Sequence, residues 1–537
     1  MSGNKPDYEV LIVGAGFSGM YMLHRMRELG LSVRVIEAGD GVGGAWYWNR
    51  YPGCRCDVPS WEYSYSFDED LQQEWTWTER YPSQPEILRY LNHVADRFDL
   101  RPDIEFETRV ESTSYDDKAG LWTVTAEDKR EFTCKWLVMA SGGLSRPKDP
   151  GIPGLDKFKG QVIFTSQWPH EPVELEGKRI GVIGTGSSGI QTIPQLAKVA
   201  EKLTVFQRTP QFTIPARNRP LEPNEMDAIK ARYPEIRADA QTTGFGLAEF
   251  KPSGLLALES DEATIKKEFD RRWAEGGPAF LVAFDDLMLE QDANAYAAAY
   301  VRERIAEIVD DPKVADILTP KGYPLGCKRL CNDTDYYKTY NLPNVNLVDV
   351  GSAPIERLSE NALHTASGEE YPLDILVLAT GFDALTGALT SIDVRGRDGL
   401  HLKDRWANGP DTYLGIMVDG FPNMFTITGP GSPSLLSNMI SSIEHHVGWV
   451  TDCIEWMNEK GNAAIEPAAG QSENWMDHVQ EVAASTLFGA PNCNSYYLGD
   501  NIKGKARKFL PYAGGYMNYK QRMNEVASAG YEGFTTR

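Results

Sequence analysis

Two stretches of the chain, LIVGAGFSG at residues 11–19 and IGVIGTGSSG at residues 180–189, share one glycine spacing. Each follows an apolar, strand-like run and opens a helix-like run. In such a turn the first glycine allows a tight bend, the second lets a pyrophosphate approach the backbone, and the third lets helix and strand pack closely. The helix N-terminus then offers free N–H groups to the phosphates. One such motif is weak evidence, but two predict an α/β fold with two Rossmann-like dinucleotide-binding domains.

The two units differ where the next strand ends. In VRVIEAG (33–39) the carboxylate of Glu37 stands 23 residues after Gly14, where it would accept hydrogen bonds from a ribose diol and repel a 2′-phosphate. In LTVFQRTP (203–210) the same spacing from Gly184 reaches Gln207, followed by Arg208. A guanidinium suits a 2′-phosphate. The first unit is therefore expected to bind a dinucleotide without a 2′-phosphate, such as FAD, and the second NADPH. The alternative is that Arg208 is an ordinary solvated surface residue.

Length and composition set the broad class. A chain of 537 residues is too long for one core, so two or three domains are expected. A formal charge of −22 argues against nucleic acid or anionic membranes as partners. The first residues predict no secretory signal, and no apolar run reaches the ~18–20 residues that a membrane span needs. Seven scattered cysteines, without histidines at metal-ligand spacing, predict a reduced cytoplasmic protein without structural zinc. No other metal site and no obligate protein partner are expected.

Periodicity outlines the elements between the motifs. Residues 8–40 indicate strand, helix and strand, and 83–99 a helix with Ser83 as N-cap and Glu86 three residues on. Strands are expected within 121–128, 135–142, 344–350 and 374–382, and the proline-rich 145–155 is typical of a linker. Between about 219 and 320 the sequence becomes polar and helix-prone, which predicts a helical insertion.

Longer motifs point to one family. A signature [AG]GxWxxxx[FY]P[GM]xxxD is met by Gly43, Gly44, Trp46, Tyr51, Pro52, Gly53 and Asp57, and a fingerprint FxGxxxHxxxWP by Phe158, Gly160, Trp168 and Pro169. Further matches are Ala379-Thr380-Gly381, Lys328-Arg329 and the segment GPGSPSLLSNM at 429–439. With these motifs the whole chain resembles the class B flavoprotein monooxygenases of the Baeyer–Villiger type, the family that includes phenylacetone and cyclohexanone monooxygenases.

The resemblance implies a domain plan and a reaction. Residues 1–144 and 385–537 would form the FAD-binding domain, 150–218 and 330–384 the NADP-binding domain, and 219–329 a helical insertion in the latter. The implied activity is the NADPH- and O2-dependent oxidation of a cyclic, aryl or aliphatic ketone to an ester or lactone through a C4a-peroxyflavin. That anion needs a fixed cation, which arginine supplies because its guanidinium stays protonated.

The resemblance also assigns residues. Arg329 would stabilise the peroxide and Asp57 would orient Arg329; the alternative is an ordinary ion pair, or no contact. The residues implied to bind FAD are Gly14, Gly16, Ser18, Gly19, Glu37, Gly44, Trp46, Asp57, Tyr63, Val110 and Met439. Those implied to bind NADPH are Gly184, Thr185, Gly186, Ser187, Ser188, Gly189, Gln191, Arg208, Thr209 and Lys328. The implied substrate pocket consists of Val58, Gly143, Leu144, Pro433, Leu435, Leu436 and Tyr496. This apolar set does not distinguish one class of ketone from another.

Two positions depart from the family pattern. Phe164 replaces the histidine of the fingerprint, which in the family lies on the linker between domains and away from substrate. Tyr496 replaces a tryptophan that is usual in a mobile loop, and tyrosine keeps a ring and a hydrogen-bond donor. The first change places the coupling of the two domains in doubt more than the chemistry.

Three other functions fit part of the sequence. A flavin monooxygenase that oxidises nitrogen or sulfur shares both nucleotide units, but it lacks the Trp-Pro ending and generally the signature around Trp46. A flavin disulfide reductase needs a close CxxxxC-like pair, which Cys54 and Cys56 do not form. An NADPH-sensing module without activity would need neither Arg329 nor the insertion.

Overall fold

The structure is a computed structural model that describes residues 5–537. Its first part alternates strands and helices, as the sequence predicts for residues 8–40. In chain order the elements are β1 (Tyr8–Val13), α1 (Phe17–Glu28), β2 (Val33–Ile36), α2 (Ala45–Trp48), α3 (Glu69–Glu74), α4 (Gln84–Arg97), β3 (Ile104–Glu105), β4 (Val110–Asp116), β5 (Leu121–Ala126) and β6 (Glu131–Met139). The apolar run of β1 is buried because the strand lies inside a sheet covered on both faces.

The second nucleotide unit and the helical segment follow. The unit contains β7 (Gln161–Phe164), β8 (Arg179–Ile183), α5 (Ser187–Leu196) and β9 (Lys202–Gln207). The helical segment contains β10 (Thr213–Pro215), α6 (Pro223–Ala231), α7 (Tyr233–Ala240), α8 (Glu262–Glu275), α9 (Gln291–Ile308), α10 (Pro312–Leu318), β11 (Cys331–Asp333) and α11 (Tyr336–Thr339). Helices thus occupy the region where the sequence changes character, while the exact domain boundaries remain a prediction.

The rest of the chain completes both sheets and adds a long helix. It contains β12 (Val345–Asp349), β13 (Ile355–Leu358), β14 (Ala362–Thr365), β15 (Glu370–Pro372), β16 (Ile375–Leu378), α12 (Gly387–Thr390), β17 (Asp393–Arg395), α13 (Leu402–Arg405), β18 (Met424–Thr426), α14 (Met439–Lys460), β19 (Ile465–Pro467), α15 (Gln471–Ala484), α16 (Tyr516–Ser528) and β20 (Phe534–Thr536). Helix α14 packs on α1 and so brings its N-terminus toward the first nucleotide unit.

Two separate sheets organise the molecule. The first has the order β17-β4-β5-β6-β1-β2-β3, and β18 also pairs with β6. Strand β6 pairs with β5 along its first half, where Trp122 lies opposite Cys134. Along its second half it pairs with β18, where Met424 lies opposite Leu137. The second sheet, β12-β9-β8-β16-β7, is parallel throughout. In parallel sheets of this kind ligands bind at the carboxyl ends of the strands, where both glycine-rich turns lie.

Two sequence-based expectations fail for tertiary reasons. Ser83 does precede α4, but its side chain makes no capping bond, and the Glu86 carboxylate accepts the Thr78 N–H at 2.8 Å instead. The cysteines are not all reduced: Cys327 and Cys493 form a disulfide. These two residues lie 166 positions apart, and only the folded chain brings their Cα atoms to 6.2 Å.

Candidate active site

The two glycine-rich turns have nearly the same geometry. Gly14 has φ +104° and Gly184 φ +108°, values that favour glycine. A side chain on Gly19 would collide with the Gly14 carbonyl at 1.8 Å, and one on Gly189 would collide with the Gly184 carbonyl at 2.2 Å. Neither α1 nor α5 has a side-chain cap, so the N–H groups of both first turns remain available for phosphates.

The carboxylate of Glu37 is buried at the end of β2. Its Oε2 accepts the Ala15 N–H at 2.7 Å and its Oε1 accepts the Gly39 N–H at 2.8 Å. Burial raises the pKa of Glu37, and these backbone N–H groups oppose that rise. Each oxygen retains a free lone pair, so the side chain fits a ribose diol beside the first turn.

The second turn faces cations instead. The Gln207 side chain is buried and donates to the Ile317 carbonyl at 2.8 Å, whereas Arg208 is exposed. Burial, followed by the charge of Arg208, lowers the pKa of Lys328 to about 8. Burial and Arg208 also lower the pKa of Lys148. Within residues 5–537 no carboxylate lies within 4.0 Å of these three cations. Mutual repulsion without a counter-ion fits a site for a 2′-phosphate.

Around the first turn, the signature segment supplies aromatic walls. Gly44 has φ +53° and lies against Gly16, whose added Cβ would meet the Gly44 Cα at 3.3 Å. The Trp46 indole Nε1 donates to the Tyr63 hydroxyl at 3.1 Å. Ser18 is buried at the start of α1, and Val110 is buried at the start of β4. The structure therefore leaves the close approach of Gly16 and Gly44 free of side chains, as a bound dinucleotide requires.

Arg329 and Asp57 form a two-point ion pair. Arg329 Nε donates to Asp57 Oδ2 at 2.8 Å, and Nη2 donates to Oδ1 at 2.6 Å. The third nitrogen, Nη1, donates to the Leu435 carbonyl at 2.8 Å. Burial acts to lower the pKa of Arg329, but the charge and hydrogen bonds of Asp57 outweigh it and raise that pKa. The guanidinium is thus a fixed, permanently charged group.

The segment that carries Leu435 has a constrained backbone. Leu435 has φ +66°, in the left-handed region that a branched side chain rarely adopts. Its N–H donates to the Met439 sulfur at 3.4 Å, and its carbonyl accepts from Arg329. Asn438, the N-cap of α14, accepts the Ile440 N–H and donates to the Glu62 carbonyl. The segment is therefore fixed from both sides beside Arg329.

The signature segment is also joined to the second nucleotide unit. Gln191 of α5 accepts from the Tyr51 hydroxyl at 2.8 Å and donates to the Arg55 carbonyl at 3.0 Å. Gly53, at φ +85°, lies so close to α5 that an added Cβ would be 2.4 Å from the Gln191 carbonyl. Beyond it, Cys331 Sγ lies 3.1 Å from Ser187 Oγ. The two turns and the Arg329 segment thus form one connected site.

Comparison with known proteins agrees with this arrangement. Residues 8–246 match the pyridine nucleotide-disulphide oxidoreductase family model. A phenazine N-monooxygenase of Lysobacter antibioticus is 41% identical, with 99% of this chain and 98% of that protein covered. A Baeyer–Villiger monooxygenase of Pseudooceanicola batsensis is 40% identical, with 98% and 95% covered. The crystal structure of OTEMO in complex with FAD and NADP has a TM-score of 0.95 and 38% identity, with 99% and 100% covered.

The chain belongs to the Baeyer–Villiger family of flavoprotein monooxygenases. It is an oxidoreductase whose cofactors are FAD and NADP. The predicted fold class and the predicted membership of this family are confirmed. Among residues 5–537 no helix is both long and apolar enough to cross a membrane. Over the same residues no group of three or more histidine, cysteine or acidic side chains could hold a metal ion.

The residues predicted for the substrate pocket lie in several segments. Leu435 lies beside Arg329 through its carbonyl, and Leu435, Leu436, Tyr496, Val58 and Leu144 all belong to the extended apolar core of the molecule. Gly143 contacts Leu385, to whose N–H its carbonyl bonds at 2.7 Å. Pro433 begins the turn that leads to Leu435, because its carbonyl accepts from Leu436 and Ser437.

Some of the residues predicted to bind NADP make contacts with other residues of the chain. Thr185 is buried and its hydroxyl donates to the Thr209 carbonyl at 3.2 Å, while Gln191 is used in the bridge to Tyr51 and Arg55. Ser187 contacts Cys331, whereas Gly186 is exposed and faces open space. The roles assigned to these residues remain proposals.

Several residues near the site have no sequence signal. Lys148 lies in the proline-rich linker, Leu385 has φ +62° and covers Gly143, and Tyr497 shares the environment of Arg329 with Tyr496. Burial raises the pKa of Tyr497, and the Arg329 guanidinium opposes that rise. Of these, only Lys148 could have been noticed, as a cation between two nucleotide units.

Proposed function

We propose that the protein uses NADPH and O2 to convert a ketone into an ester or lactone. The observation that carries the proposal is the Arg329 guanidinium, which Asp57 and the carbonyl of the buried Leu435 hold through three hydrogen bonds. Bound FAD, reduced by NADPH, supplies the activation of O2.

Arg329 favours attack on a carbonyl carbon. A ketone is electrophilic and reacts with an anionic oxygen nucleophile, so a permanent positive charge beside the reacting oxygen lowers the barrier. Because the guanidinium is held at two points by Asp57, little reorganisation is needed when negative charge develops. The buried side chains of Leu435, whose carbonyl accepts from Arg329, and of Val58, which follows Asp57, would limit water near the same point and so strengthen the electrostatic effect.

The NADP residues have a second part in this proposal. Arg208, Lys328 and Lys148 would hold the 2′-phosphate, and the uncapped first turn of α5 would hold the pyrophosphate. The bridge from Gln191 to Tyr51 and Arg55 would keep the nicotinamide end in register with the flavin end. We also propose that NADP stays bound while oxygen is transferred, so that the second site has a structural role.

A second candidate function is oxygenation of a ring nitrogen. It is favoured by the relative from Lysobacter antibioticus, a phenazine N-monooxygenase that matches over 99% of this chain. A nitrogen lone pair attacks an electrophilic oxygen, and such a reaction gains little from a cation that stabilises an anion. The position of Arg329 therefore supports the ketone, while the overall similarity supports both.

The test is a panel of substrates under ¹⁸O2. The purified flavoprotein is mixed with NADPH and a cyclic, an aryl or a linear ketone, or with phenazine. Ketone oxygenation predicts labelled esters or lactones that base hydrolyses, together with faster NADPH consumption. Labelled phenazine N-oxide without any ester would favour the second candidate. If every compound leaves NADPH consumption at its basal rate and only hydrogen peroxide forms, the ketones tested here are not substrates and the proposal fails for those classes.

A further inference from the structure

We propose that the disulfide between Cys327 and Cys493 is a positioning element of the active site, which holds the C-terminal loop, residues 487–511, closed over Arg329. Its thiol–disulfide state would therefore set how well NADPH consumption is coupled to product formation. The part about coupling rests on the proposed function, whereas the part about the loop does not.

The disulfide joins two functional segments. Cys327 stands two residues before Arg329, and Cys493 stands three residues before Tyr496. Both cysteines are fully buried. The bond is the only disulfide among residues 5–537, and the other five cysteines are free. A covalent link at this place fixes the distance between the loop and the guanidinium.

Other polar anchors hold the C-terminal loop at its two ends and at a few points between them. At the ends, the Leu487 N–H donates to the Met288 carbonyl at 2.8 Å, Phe509 exchanges two hydrogen bonds with Gln480, and the Leu510 carbonyl accepts from the Gly431 N–H at 2.7 Å. The loop contains two single helical turns and no strand. Asn492 donates to the Gly322 carbonyl at 2.7 Å, and Asn501 donates to the Phe382 carbonyl at 2.9 Å. Lys505 pairs with Asp383 and donates to the Thr386 hydroxyl at 2.7 Å. Asn492 is exposed, so water competes for its bond. Without the disulfide, loop closure would depend on these contacts and on apolar packing.

The loop places two aromatic rings at Arg329. The ring centroids of Tyr496 and Tyr497 are 4.5 Å apart. The positive charge of Arg329 acts to lower the pKa of both side chains, against the larger rise that burial causes. Tyr497 is held from behind, because its carbonyl accepts the Leu510 N–H at 2.7 Å. An open loop would remove both rings and admit water to the charged site. A larger share of the reduced oxygen would then leave as hydrogen peroxide instead of reaching the substrate.

The redox step balances with a dithiol as reductant. Dithiothreitol, or a protein dithiol of the same chemistry, delivers two electrons and two protons to the disulfide. The S–S bond breaks, Cys327 and Cys493 become thiols, and the dithiol becomes a disulfide. In the reverse direction hydrogen peroxide takes two electrons from the two thiols, and their two protons leave in two molecules of water. Because both sulfurs are buried, the segment around the exposed Pro491 and Asn492 must open for a reductant to enter.

The experiment compares the oxidised protein, the dithiothreitol-treated protein, and the variants Cys327→Ala, Cys493→Ala and their combination. Thiol titration in denaturant should give five thiols before reduction and seven after it. Hydrogen–deuterium exchange in residues 490–508 should become several-fold faster after reduction. The yield of product per NADPH should fall several-fold, while NADPH still reduces the flavin at the parental rate.

The variants separate the bond from the individual residues. If the bond matters, both single variants and the double variant should show equal effects, and dithiothreitol should change none of them. The idea is wrong if the protein kept under hydrogen peroxide still titrates seven thiols. It is also wrong if reduction leaves both loop exchange and coupling unchanged. Should no ketone be converted by any form, the exchange data still decide the position of the loop, so failure of the proposed function is recognised separately.

Discussion

Arg329 and Asp57, 272 residues apart in sequence, face each other through two parallel hydrogen bonds of 2.8 and 2.6 Å. Asp57 ends the signature segment that follows the first nucleotide unit, while Arg329 lies between α10 and β11. The pair therefore joins the segment after the first nucleotide unit to the segment after the helices that follow the second unit. A guanidinium with both forks engaged has a fixed direction, which a lysine at the same place would not have.

Removal of the Arg329 guanidinium should separate flavin reduction from oxygenation. In Arg329→Ala, anaerobic NADPH should still bleach the flavin, because hydride transfer needs only the two cofactors in register. Ester formation should fall about a thousand-fold, which corresponds to ~4 kcal/mol in the barrier. Stopped-flow absorbance follows the first step and product analysis the second. Arg329→Lys should recover a small part of the ester, since it keeps charge but not the fork.

Asp57→Ala should give a milder form of the same defect, because Arg329 keeps its charge and its bond to the Leu435 carbonyl. Near-parental ester formation in Arg329→Ala would show that Arg329 and Asp57 form an ordinary ion pair without a catalytic role.

Arg208 should decide the choice between NADPH and NADH. Loss of one charge-assisted phosphate contact costs ~1.5–3 kcal/mol, so Arg208→Ala should raise the KM for NADPH roughly ten- to a hundred-fold and leave NADH use nearly unchanged. The control is Lys202→Ala, an exposed cation at the opposite end of β9. Equal losses with both nucleotides would place Arg208 outside the phosphate site.

Lys328 should make NADPH binding depend on pH. In the protein without nucleotide its pKa is lowered to about 8 by burial and by Arg208. The charged form binds the phosphate, so binding should raise this pKa and take up a proton above pH 8. Affinity for NADPH should then fall as pH rises above about 8, by up to about ten-fold per unit, whereas affinity for NADH should not. Calorimetry in buffers of different ionisation enthalpy measures the proton; its absence above pH 8 would argue against this contact.

The features that could be predicted from the sequence are those formed by residues close together in the chain. The two glycine-rich turns and the contrast between Glu37 and Arg208 lie within single strand–turn–helix units, so their geometry follows from residues fewer than 30 positions apart. The contact of Asp57 with Arg329 spans most of the chain, and it could be expected only through the resemblance of the motifs around both residues.

Other features depend on tertiary contacts that no local pattern carries. Glu86 stands at capping-box spacing from Ser83, yet Thr78 offers a better-placed N–H, so the box does not form. The disulfide forms because the C-terminal loop brings Cys493 next to Cys327. The hydrogen bond between Gln191 and Tyr51 forms because the signature segment packs on α5. The disulfide and the Gln191 contacts join residues more than 130 positions apart, which no local pattern can indicate.

Gly186 should matter for the nucleotide and not for the fold. Its φ is −85° and an added Cβ would meet no atom within 4 Å, so Gly186→Ala should leave the melting temperature unchanged. The methyl group would occupy the space through which a pyrophosphate approaches the backbone, and NADPH affinity should fall about ten-fold. Gly448→Ala in α14 serves as the control, because its Cβ also meets nothing, and it should raise stability by up to about 1 kcal/mol. Unchanged NADPH binding in Gly186→Ala would mean that the nucleotide does not pass this turn.

Phe164 should be tolerated in place of the usual histidine of the fingerprint. It is the last residue of β7, paired with Leu378 of β16, and its partly buried ring packs with the apolar cluster of the second sheet. Phe164→His should therefore cost about 1 kcal/mol of stability through lost apolar contact and change peroxide release by modest factors. Phe164→Gln separates polarity from titration, because glutamine is polar but does not ionise. Thermal unfolding and the ratio of hydrogen peroxide to ester measure the two effects. If the parent protein makes no ester and Phe164→His does while Phe164→Gln does not, the natural chain has lost its activity by losing a titratable ring at the end of β7.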